Sequence, residues 1–233
     1  MQAVATDLSG KIARWWIWIA VGQFVLVFAA SVAAYPGNAS APNGWLSLHL
    51  FETTYCELGK FDRDNPRPNH YLAIAFNISM VIAATGFIPH WWILPRLFPE
   101  QPRKGRAVRI CGFVSVIGMF GVGPTTGDGL AFIHSLFISC AAIPGLAALA
   151  IALSALTAER RRHRWFIVYS WCFAVLAVFH FWQHISHFWL GMPWTEIDYV
   201  TQKVTILAGL GWVFGNALAN RKASAQELEN ACV

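Results

Sequence analysis

Apolar residues fall along this chain in six long runs separated by short polar stretches. The runs are approximately Ala13 to Tyr35, Tyr71 to Leu94, Val108 to Thr125, Leu130 to Leu156, Trp165 to Leu190 and Val200 to Asn220. Each is near the ~20 residues that a helix needs to cross a hydrocarbon core of roughly 30 Å. The pattern predicts an all-α fold, a polytopic six-transmembrane-helix bundle in which residues 1–233 form one integral membrane domain. The third run is the shortest and the richest in glycine (Gly112, Gly118, Gly121, Gly123), which suits close helix packing and leaves a re-entrant segment as the alternative.

The polar stretches set an orientation. Thirteen of the 17 Lys and Arg residues lie at the N-terminus, between runs two and three, between four and five, and after six; Lys60, Arg63, Arg67 and Lys203 fall on the opposite side. By the positive-inside rule both termini are then cytoplasmic. The first apolar run is too long for a cleaved leader and reads as a signal anchor. Only Cys56 of the five cysteines lies in an outer loop, so no intramolecular outer disulfide is expected.

Composition agrees with a membrane location: 56% of residues are hydrophobic, only 12% are charged, and mean hydropathy is +0.47. The net charge of +5 does not point to nucleic acid, because the basic residues form short clusters between apolar runs rather than a stripe. Membrane lipids are the partners expected.

Acids and histidines are distributed in the opposite sense to the bases. Seven of the 12 acids and six of the eight histidines fall on the outer loops or in the outer halves of the helices, which implies a polar chamber there. Residues 36–70 form the one long connection and its candidate lid; WLSLHLFETTY within it has partly helical spacing. His90 and His163 lie towards the other side beside Trp91 and an Arg cluster, where interfacial anchoring is the simplest role.

Three stretches carry a family resemblance. TYCELG, then HYLAIAFNISMVIAATGFI, then GFVSVIGMFGVGPTTGDGLAFIHSLFISCAAIPG resemble the DRAM/Sfk-type six-helix membrane family and its bacterial relatives of unknown function. The matching positions are Glu57, Gly59, Asn77, Gly118, Gly121, Gly123, Pro124 and His134. Cys56-Glu57 stands where that family has Ser-Asp, and the histidines of the fifth run have no counterpart in it. The resemblance implies a six-helix bundle associated with lipid handling and supplies no reaction.

The densest chemistry is His180, His184 and His187 in FHFWQHISHFWLG. At 100° per residue these three project within about 60° of one another from a helix. Ionisable groups at membrane depth usually have a partner or a function. Three roles stand open. With His134 the stripe can hold zinc, with Glu57 or Asp128 as general base or orienter of a metal-dependent lipid hydrolase. Alternatively the histidines form a polar packing or headgroup cluster, giving a lipid-binding or membrane-organising protein. The third role is haem ligation, for which His134 and His180 supply histidines from two helices.

Cysteines introduced in Lys60 to His70 and at Thr195 are expected to react with an impermeant maleimide from outside, and cysteines at Gly105 and Ala158 to be protected. Outside labelling at Gly105 reverses the orientation.

Overall fold

A computed structural model describes residues 2–35, 54–60, 70–126, 130–159 and 164–231, with side chains described within residues 8–223. Those residues form six long helices: α1 (Gln2–Ala34), α2 (His70–Ile93), α3 (Pro102–Val122), α4 (Ala131–Ala158), α5 (Arg164–Phe188) and α6 (Glu196–Ala231). Two short 3₁₀ turns accompany them, η1 (Tyr55–Gly59) before α2 and η2 (Leu94–Leu97) after it. Among the described residues there is no strand. The third apolar run is a continuous helix rather than a re-entrant loop, although its length and glycine content allowed either.

Five of the helices, α1 through α5, are long and apolar enough to cross a membrane. Their outward surfaces carry large apolar side chains, among them Trp15, Leu26, Ile117, Phe132, Val168 and Val175. Exposed apolar surface spread around a whole bundle is unfavourable in water and favourable against lipid. The chain is a multi-pass membrane protein.

The sixth helix falls short of the same apolar measure, and its packing gives the reason. Asn216 and Asn220 interrupt its apolar run, and both are buried. Asn216 Nδ2 lies 3.1 Å from His90 Nδ1 and 3.1 Å from His90 O; Asn220 Nδ2 donates to Asn216 Oδ1 at 2.8 Å. The first residue therefore both pairs with a ring nitrogen and caps a carbonyl in the last turn of α2, where no helical partner remains. His90 is fully buried beside Trp91 and Trp212, so the interfacial role expected for it is replaced by a core contact between α2 and α6. Expected anchor His163 lies outside the described residues.

Each helix packs on the next in sequence, and α6 returns to α1 and α2, so the six close into a ring. Packing is most extensive between α3 and α4. Gly118 explains the intimacy there: a Cβ on it would fall against the backbone of Cys140 and Ala141. In lipid, association rests on such close approach rather than on a hydrophobic drive between helices.

Gly118→Ala is expected to destabilise the protein by about 1–3 kcal/mol, because backbone cannot yield as a side chain does. Gly22, with open space around its missing Cβ, should accept Ala without loss. Thermal unfolding of the two variants in detergent checks the contrast; equal midpoints would refute the packing argument.

A thiol and imidazole shelf above an apolar cavity

The ring forms a half-open cavity of about 380 Å³ walled by residues from all six helices and from η1. Phe24, Phe76, Met80, Leu146, Phe173 and Leu210 are typical of its lining. Tyr55, Cys56, His180, His184, Thr205 and Ser115 are its polar members, and the Ser115 hydroxyl is spent on Ala141 O at 2.6 Å. Tyr55 and Cys56 come from η1, His180 and His184 from α5, and the Thr205 hydroxyl is directed to Leu176 O at 3.5 Å.

The η1 turn is fixed to three helices and one loop. Asn77 Nδ2 on α2 donates to Gly59 O at 3.0 Å, and the Thr126 hydroxyl after α3 lies 3.0 Å from the same carbonyl. Tyr55 N donates to Gln202 Oε1 on α6 at 3.0 Å. The Tyr55 ring packs edge-on against Phe28 of α1, with Lys203 Nζ 5.4 Å over its face. Gly59 has no room for a side chain, since a Cβ would strike Asn77 and Thr126. The motif TYCELG is thus a plug held by polar contacts to the mouth of the bundle. The rest of the candidate lid, residues 36–53 and 61–69, lies outside the described residues.

Beneath the plug sits a thiol–imidazole pair that sequence reading did not single out. Cys56 Sγ lies 3.4 Å from His134 Nε2, and His134 Nδ1 lies 3.2 Å from Thr125 Oγ1. The Thr125 hydroxyl donates its own proton to Gly121 O at 2.6 Å, so it accepts from Nδ1–H. That leaves the Nε2 lone pair facing the thiol. Gln202 Nε2 approaches the sulfur from another side at 3.8 Å, its amide held in that sense because its oxygen is occupied by Tyr55 N. Burial and the neighbouring Glu57 carboxylate push the Cys56 thiol up to about 11, so it rests as S–H.

The stripe on α5 is present as a helix face, and its three histidines take separate partners. His180 lines the cavity, with Nδ1 buried and without a hydrogen-bond partner. His184 Nε2 lies 3.0 Å from Ser135 Oγ of α4. His187 Nδ1 donates to Met192 O at 2.7 Å, its Nε2 lies 3.0 Å from Asp198 Oδ2, and its ring stacks on Trp194.

Among the described residues no group of three or more His, Cys, Asp or Glu is arranged to hold a metal. His134 contacts Cys56 and Thr125 rather than the α5 histidines. Glu57 turns to Lys60 Nζ at 2.6 Å. Asp128 lies outside the described residues.

Asp198 was not among the expected site residues. It stands three positions after Thr195, and its Oδ2 accepts from Thr195 N at 2.7 Å and from Thr195 Oγ1 at 2.6 Å. The Asp198 carboxylate thus serves both the N–H and the hydroxyl of Thr195 at the start of α6. Burial pushes its carboxyl up, but the Thr195 hydrogen bonds and His187 outweigh that and hold it below the ordinary value of 3.8.

A depressed carboxyl contributes stability that is complete above its ordinary value and is lost as pH falls through the folded value. Trp194 fluorescence should therefore report loosening of this corner in acid. Asp198→Asn should cost about 0.5–2 kcal/mol at neutral pH, as lost caps do, and abolish that acid transition. An unchanged acid profile in the variant would assign the transition to another group.

Compared with known proteins, the chain matches no family model, no curated protein sequence and no solved structure.

Proposed function

We propose that this protein binds a membrane lipid inside its helix ring, with the chain in the apolar cavity and the polar head at the shelf below η1. The observation that carries the reading is the lining of the cavity: an apolar wall contributed by every helix, with the thiol of Cys56 and the imidazoles of His180 and His184 set into it. A volume of about 380 Å³ lies within the 300–1,000 Å³ range of small-molecule sites. It suits one acyl chain or a comparably slender apolar body, and not a whole two-chain phospholipid.

The head is expected to be small and to hydrogen-bond without carrying charge. Cys56, His184 and Thr205 are neutral donors and acceptors, while the nearest carboxylate, Glu57, is paired with Lys60. His180 Nδ1 is a buried nitrogen without a protein partner, and burying such a group unpaired is costly, so a ligand oxygen or N–H at that end gains from it. On the orientation expected from the Lys and Arg distribution, this end faces the outer leaflet. The lipid association implied by the DRAM/Sfk-type resemblance points the same way.

Ala142 and Ala177 both line the cavity, and a large side chain at either one fills space the lipid needs. Ala142→Trp and Ala177→Trp should each weaken binding of a fluorescent fatty acid by about tenfold or more, near 1.4 kcal/mol, with helicity retained. Wild-type affinity in both filled variants would sink the reading.

A further inference from the structure

Taking the lipid-binding reading as its basis, we infer that Cys56 is the acyl-accepting nucleophile of a long-chain acyl ester, with His134 as its general base and Gln202 as donor to the oxyanion. The inference rests on four placements: Cys56 in the cavity wall, and His134, Thr125 and Gln202 arranged behind it. Cys56 lies in the cavity wall, so a carbonyl at the head of a chain in the cavity meets its sulfur. His134 Nε2 is 3.4 Å from that sulfur with its lone pair free to take the thiol proton. Thr125 holds the opposite ring nitrogen and with it the tautomer. Gln202 Nε2 is an N–H donor 3.8 Å from the sulfur, within reach of an oxygen on the carbon that the sulfur attacks. A nucleophile, a base, an orienter of the base and an oxyanion donor are the parts acyl transfer requires.

The step balances without a redox partner. Cys56 Sγ attacks the ester carbonyl carbon as its proton passes to His134 Nε2, and the tetrahedral oxyanion accepts from Gln202. The carbon–oxygen bond to the alcohol then breaks, and His134 returns the proton to the leaving oxygen. Acyl-Cys56 and a free alcohol result. Water, activated by the same imidazole, hydrolyses the thioester to a fatty acid and regenerates the thiol. Because the resting thiol is protonated, the reaction depends on this base rather than on a standing thiolate.

The experiment treats purified full-length protein in detergent with p-nitrophenyl palmitate and reads intact mass and nitrophenolate release. The expected result is one palmitoyl group per chain, mapped to Cys56, released by neutral hydroxylamine, and absent in Cys56→Ala. His134→Gln should slow acylation about 10²–10⁴-fold. Gln202→Glu, which keeps the acceptor for Tyr55 N and loses the donor, should slow it about 10²–10³-fold. Thr125→Val should reduce the rate and Thr125→Ser restore it, with fatty-acid binding unchanged in both. Unmodified Cys56 in wild-type protein that still binds a fluorescent fatty acid overturns the acyl-transfer inference and leaves the lipid site standing. Equal labelling of Cys56 by p-nitrophenyl acetate and palmitate also overturns it, because the cavity would then play no part. Loss of fatty-acid binding together with labelling removes both.

Discussion

Inside a bilayer there is no water to complete a hydrogen bond, so polar groups at depth gain most from partners within the protein. This constraint organises the ring. Asn216 reaches across to His90, Ser115 to the Ala141 carbonyl, the Trp212 indole N–H to Ser170, and Tyr169 to the Ala208 carbonyl. Each of these contacts joins two helices, because a side chain spent on its own helix leaves nothing to link it to a neighbour. Small residues such as Gly118 then allow the backbones close enough for dispersion to add to them.

The same constraint makes the η1 end of the cavity chemically distinct. There the helices have reached their termini, and a loop with unsatisfied carbonyls must be sealed against apolar walls. Asn77, Thr126 and Gln202 meet those backbone groups and in doing so set Cys56 between His134 and the cavity. The contacts that seal the bundle and those that arrange a nucleophile are thus parts of one network. Under the proposed lipid-binding function, the head of the ligand would lie beside a thiol and an imidazole, the groups that acyl transfer requires.

The opposite end is held differently. His90, Trp91 and Trp212 form a buried aromatic cluster in which Asn216 of α6 meets His90 and Ser170 of α5 meets the Trp212 indole. At the η1 end, α5 and α6 are joined by His187, Asp198 and Thr195, which fix the short connection and start α6. A helix too polar to be driven into lipid by its own hydropathy is thereby built into the ring at both ends.

Hydrophobic runs of ~20 residues determine helices of bilayer length without reference to anything else in the chain, so the six helices and the glycine-rich α3 were legible in the sequence. The helical stripe of His180, His184 and His187 was legible for the same reason, since angular position on a helix follows from spacing. What the stripe faces was not. His184 meets Ser135, His187 meets Asp198, and His180 meets the cavity because α4, α6 and open space lie on successive sides of α5, and helix neighbours are a property of the closed ring. Cys56 and His134 stand 78 positions apart and belong to no local motif. Sequence by itself determined which segments cross and which side chains share a face, because those depend on local periodicity; tertiary structure decided which polar groups become partners, because in lipid that depends on which helices lie side by side.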